Sequence, residues 1–216
     1  MGESPLPDER KEHWDSVYGR RAVTEVSWYE ARPDQSLALI QASGLQRNDP
    51  IIDVGGGASL LGESLLDCGY LDLTILDISD EALDKQRLRL GARASAVTLM
   101  PQDVTTFQPA RQYALWHDRA VFHFLVEAEK RERYRKALRQ ALRPNGYLVI
   151  ATFGPEGPER CSGLPVKRYD SRSLAAELGS EFRLVESSLH IHQTPGGVSQ
   201  QFLYCRFQFS PSECPP

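Results

Sequence analysis

The chain has little that would tie it to a membrane, a metal or a polyanion. No apolar run approaches the roughly 20 residues that a bilayer-spanning helix needs. The opening stretch Met1–Lys11 is polar and acidic, unlike a signal or transit peptide. The 4 cysteines (Cys68, Cys161, Cys205, Cys214) are scattered without a Cys-x-x-Cys pair. That usage points to free thiols in the cytoplasm and away from zinc. His190 and His192 share one strand face, but no acid or cysteine stands near them at ligand spacing, so no metal is expected. A net charge of −4 argues against nucleic acid as a partner. Basic residues do concentrate at Lys130, Arg131, Arg133, Arg135, Lys136, Arg139 and Arg143, but Glu127, Glu129 and Glu132 are interleaved with them. A solvated helix face explains that pattern.

What is present is an alternation of strands and helices. Ile51–Val54 reads as a buried strand that runs through Asp53 into the turn Gly55-Gly56-Gly57, and Leu60–Cys68 continues at helical spacing. Further strands are expected at Leu71–Leu76, Ala96–Met100, Tyr113–Trp116 and Tyr147–Phe153, the last after a turn at Pro144-Asn145-Gly146. Helices are expected at Ser79–Arg93 with Ser79 as N-cap, and at Val126–Leu142. Ahead of the sheet, Glu9–Arg20 and a helix capped by Asp34 or Ser36 and ended by Gly44 form a helical cap. Residues 154–168 read as a loop able to form a lid or substrate wall, and Ser171–Leu178 as a short helix. Phe182–Thr194 and Ser199–Phe209, joined by Pro195-Gly196-Gly197, read as an antiparallel hairpin on the sheet edge. The expected fold is therefore α/β: a doubly wound, mostly parallel sheet closed by a C-terminal antiparallel hairpin. At 216 residues one domain is expected, with 1–8 frayed, 9–48 the cap, 49–209 the core and 210–216 a tail.

The glycine turn is the strongest functional signal. Glycines let backbone approach a ligand closely, and the following helix offers free N–H groups. A dinucleotide fingerprint would need a third glycine where Leu60 stands, which counts against a nicotinamide oxidoreductase. Asp77 lies 22 residues after Gly55 at a strand end, where a carboxylate accepts from ribose hydroxyls; it is equally placed to flank the Ser79 helix. Asp103 and Val104 follow the next strand, suited to an adenine amine and ring or to a plain loop. His117, Asp118 and Arg119 follow the fourth strand at the crevice where doubly wound sheets bind ligands. Asp118 or His117 there could orient or deprotonate an acceptor; a buried histidine and a local ion pair are the bland alternatives. Trp14, Trp28 and Tyr29 either close over a ligand or pack the cap onto the sheet.

Asp53, Gly55 and Gly57 in the form Asp-x-Gly-x-Gly resemble motif I of the class I, seven-β-strand S-adenosylmethionine (SAM)-dependent methyltransferases, with Ser59 where that family often has another glycine. The terminal hairpin resembles that family too. More loosely, His13-Trp14-Asp15-Ser16-Val17-Tyr18 and Trp28-Tyr29 resemble a subgroup that includes elongation-factor and citrate-synthase lysine methyltransferases. The resemblance implies a SAM site, with S-adenosylhomocysteine (SAH) as product. It would be formed by Asp53, Gly55, Gly56 and Gly57 at the methionine end, Asp77 and Ile78 at the ribose, Asp103 and Val104 at the adenine, and Trp28 and His117 beside them. It also implies a protein lysine or small-molecule acceptor. A non-catalytic SAM-binding protein would carry the same motifs.

Overall fold

The computed structural model describes residues 7–211. Most of the segment expected to fray lies outside them, as do Cys214 and most of the expected tail; Pro7 already belongs to the first helix. The chain runs α1 (Pro7–Arg20), α2 (Asp34–Ala42), β1 (Ile51–Val54), α3 (Leu61–Asp67), β2 (Leu73–Asp77), α4 (Asp80–Leu90), β3 (Val97–Pro101), β4 (Tyr113–Arg119), α5 (Ala128–Ala141), β5 (Leu142–Phe153), β6 (Arg160–Cys161), β7 (Leu164–Pro165), α6 (Ser171–Leu178), β8 (Phe182–Gln193) and β9 (Ser199–Phe209). The main sheet has 7 strands in the order β3-β2-β1-β4-β5-β9-β8. The first five are parallel, and β9 runs antiparallel to both β5 and β8. Ile51, Ile52 and Val54 of β1 are buried because both sheet faces are covered by apolar layers.

Strand order locates the site. From β1 the chain builds outward through β2 and β3, then returns to lay β4 on the other side of β1. The crevice beyond the carboxyl ends of β1 and β4 is the switch point where such sheets take ligands.

Four local expectations need correction. β4 continues through His117, Asp118 and Arg119, which pair with β5 rather than forming a turn after the strand. Pro144-Asn145-Gly146 is a bulge inside β5, with Asn145 at φ +64° and the register jumping between Tyr113 and Leu115. The 154–168 loop contains the β6–β7 ladder. Neither Asp34 nor Ser36 caps α2, since Pro33 occupies that position and Ser36 is turned inward and buried. Ser79 does cap α4, accepting from the Ala82 N–H at 3.2 Å.

Candidate functional site

The glycine turn leaves β1 with its Gly55 N–H donating to the Leu76 carbonyl at 2.7 Å. Gly55 sits at φ +71°, and a Cβ there would overlap the Val121 side chain. A Cβ at Gly56 would overlap the Asp53 carboxylate, so the turn wraps that acid closely. Asp77, last residue of β2, accepts from the Gly57 N–H at 3.0 Å through one oxygen and from the Ser79 N–H at 2.9 Å through the other. A carboxylate offers about four acceptor positions, so two remain for a ligand. Burial pushes the Asp77 carboxyl up to about 6 even though both amides pull it down.

Two cavities meet at this turn. The outer cleft encloses about 980 Å³ of empty space, part of it open to solvent, a size suited to a small ligand. Gly55, Asp77, Ile78, Asp103, Val104 and Trp28 line it, so the structure brings most of the expected nucleoside-binding residues onto one surface. Asp53, Gly55, Gly56, His117, Trp28 and Glu30 line the inner cavity. Gly57 lines neither and acts through its bond to Asp77. Trp28 and Arg119 border both. The β6–β7 segment supplies Cys161, Leu164 and Pro165 to the outer wall, the place expected of a lid or substrate wall. Ala120, also on that wall, holds φ +72°, a strained value for a residue with a Cβ.

The two residues expected to act on an acceptor are both engaged within the protein. Asp118 is fully buried and lines neither cavity. It accepts from the Tyr134 hydroxyl at 2.7 Å and from the amides of Val121 at 2.9 Å and Phe122 at 3.1 Å. Burial pushes its carboxyl up to about 6 against those three bonds. Its neighbour His117 points to the opposite sheet face, with Nδ1 at 2.7 Å from Asp53 Oδ1 and Nε2 at 2.8 Å from Ser36 Oγ.

Of the residues around the cleft, Arg10 and Glu30 gave no signal in the sequence, while Trp14, Trp28 and Arg119 did. Arg10 of α1 reaches Asp103 at 2.7 Å across 93 residues of chain, and α1 also brings Trp14 and Tyr18 to the cleft. Trp14 meets Trp28 edge-on at 5.7 Å and Phe124 at 5.1 Å, making an aromatic cover. Arg119 holds that cover down. It donates to the Trp28 carbonyl at 2.8 Å and to the Tyr204 hydroxyl at 2.9 Å, and pairs with Glu30 at 2.9 Å. His192 adds a bond to the Ser27 carbonyl at 2.8 Å.

A model of the methyltransferase domain matches residues 52–148, from β1 into β5. The eEF1A lysine and N-terminal methyltransferase of Mus musculus is 26% identical over 108 residues, 48% of this chain and 15% of that protein. The chain therefore spans a small part of that relative's length. The EEF1A lysine methyltransferase 2 of Danio rerio is 24% identical over 157 residues, covering 66% of this chain and 67% of that one. Among solved structures, the 1,6-didemethyltoxoflavin-N1-methyltransferase of Burkholderia thailandensis, which holds its acceptor and SAH, superposes with a TM-score of 0.70 at 17% identity, covering 98% of this chain and 93% of that one. Residues 52–148 are thus similar to a methyltransferase domain, and the seven-stranded sheet has the fold of the SAM-dependent methyltransferases.

Proposed function

We propose that the two cavities together bind SAM and that the protein transfers its methyl group to an amine acceptor, with a protein lysine favoured. The observation that carries this reading is the cradle itself. Gly55 and Gly56 leave no room for a Cβ, and the buried Asp53 Oδ2 beside them has no hydrogen-bond partner among the described residues. That combination suits a ligand with a cationic amino-acid end and a ribose. Asp53 and the glycine turn would hold the methionine end, and Asp77 the ribose hydroxyls. Val104 and Ile78 would flank the adenine, with Asp103 accepting from its amine while still paired to Arg10. SAM supplies a methyl already activated by sulfonium. The protein's task is to align the acceptor, exclude water and, for a lysine, receive one proton. The Trp28–Trp14–Phe124 cover presents aromatic faces that suit a cation.

Asp118, expected to serve as base, is in this reading a positioning residue that fixes the turn from Ala120 to Phe122 under the cleft. The lysine preference rests on the two relatives named as eEF1A methyltransferases. A small amine is the second reading, favoured by the β6–β7 wall that narrows the outer cleft. The free Cys68, Cys161 and Cys205 fit the reducing cytoplasm. Labelled SAM offered with an elongation-factor protein and, separately, with cell-extract small molecules tests the acceptor. Label in a protein lysine supports the first reading and label only in the small-molecule fraction the second. SAH binding without any labelled acceptor would make the chain a non-catalytic SAM-binding protein.

A further inference from the structure

We infer that Ser36 and His117 form a buried relay that fixes the Asp53 carboxylate for the cationic amino-acid end of the nucleoside ligand, acting as positioning residues that need not touch it. The inference rests on the reading that the cleft binds SAM. Three elements build the relay. β1 and β4 are neighbours in register, which sets Asp53 opposite His117, and α2 brings Ser36 up from 81 residues away. The distances are 2.8 Å from Ser36 Oγ to His117 Nε2 and 2.7 Å from His117 Nδ1 to Asp53 Oδ1. Ser36 is 1% exposed, and the His117 and Asp53 side chains are 3% and 4% exposed, so water competes for none of these bonds.

The partners assign the protons. A carboxylate can only accept, so Asp53 fixes the proton of the neutral imidazole on Nδ1 and leaves Nε2 to accept from the Ser36 hydroxyl. The imidazole then donates its Nδ1 proton to Asp53 Oδ1. With Oδ1 taken, Oδ2 lies against the Gly56 backbone without a partner among the described residues. A buried carboxylate oxygen left this way is costly unless a donor arrives. Among the described residues the inner cavity holds one guanidinium, Arg119, which is ion-paired to Glu30 and donates to Tyr204 and the Trp28 carbonyl. Its remaining charge is the Asp53 carboxylate, which suits a ligand ammonium. The order serine–histidine–aspartate also occurs in hydrolases, but Ser36 lines neither cavity and could not reach a substrate as nucleophile.

Calorimetry with two ligands separates this role from simple structural support. SAH carries the amino-acid end; 5′-methylthioadenosine has the same nucleoside without it. Wild type should bind both. Ser36→Ala should weaken SAH about 3- to 10-fold and His117→Leu about 10- to 100-fold, the range for losing a bond to a charged group. Affinity for 5′-methylthioadenosine should stay within about twofold. His117→Asn, whose amide can still donate to Asp53, should recover most of the loss. Unliganded melting curves establish that each variant is folded; if His117→Leu is not, Ser36→Ala and His117→Asn decide. Equal losses for both ligands, or none for either, would overturn the relay while leaving the SAM site standing. Wild type binding neither ligand would instead remove the SAM reading on which it rests.

Discussion

Asp77 is a carboxylate held away from water, with each oxygen already accepting one backbone amide. If the free acceptor positions take the ribose hydroxyls, Asp77→Ala weakens SAH by roughly 1.5–3 kcal/mol, read by calorimetry. Its pH behaviour follows from the same burial. The folded carboxyl titrates at about 6, above the unfolded value of about 3.9. Between those values the folded chain holds more protons than the unfolded one, so this group adds stability as pH falls from about 6 to 4 and nothing further changes above 6. Wild type should therefore gain melting temperature relative to Asp77→Asn over that window, while SAH affinity falls as the better acceptor, the carboxylate, is lost. Parallel melting profiles for the two proteins would contradict it. Asp118→Asn is the second residue test. It disturbs bonds to Tyr134, Val121 and Phe122, so it should cost about 1–3 kcal/mol of stability in urea unfolding. Unchanged stability with lost turnover would restore Asp118 as the base. Asp53 and Asp77 could be singled out because one sits inside a short glycine motif and the other ends the next strand of a regular alternation. Arg10 and Ser36 could not, because their partners lie 93 and 81 residues away and neither carries a local pattern.

Helix α1 forms part of the cleft wall through Arg10, Trp14 and Tyr18. It is pinned through Arg10 to Asp103, through Lys11 to Asp80 at 2.8 Å, and through Asp15, which accepts from the Ser79 hydroxyl at 2.7 Å. Arg10→Ala should speed hydrogen exchange of α1 amides and raise the SAH dissociation rate several-fold, with exchange in β1 and β4 unchanged. Unaltered exchange in α1 would show that the other pins suffice. At this scale the parallel strands and the terminal hairpin were readable from period and turn chemistry. The end of β4 was not, since His117-Asp118-Arg119 looks like a polar turn until its partners are seen. Two of these polar residues are buried and the third is partly so, each paired to another element. The β6–β7 ladder was hidden for the opposite reason: two-residue strands in a glycine- and proline-rich stretch have no period to detect. In α5 the interleaved charges do form pairs along the helix, such as Arg133–Glu129 at 2.6 Å. Arg131 and Arg139 instead reach Glu177 and Glu181 across to α6 and its C-terminal end.

For the molecule as a whole, strand order 3-2-1-4 opens one crevice, and the glycine turn, Asp77, Asp103 and the aromatic cover all converge on it. The central claim is that this crevice is a SAM site, and thermal unfolding with SAH and NAD in parallel tests it most directly. A ligand at about 100 times its dissociation constant adds roughly 2.7 kcal/mol. For a chain of this size that raises the midpoint by about 5–10 °C. The account predicts such a rise with SAH and none with NAD; a rise with NAD alone, or with neither ligand, would contradict it.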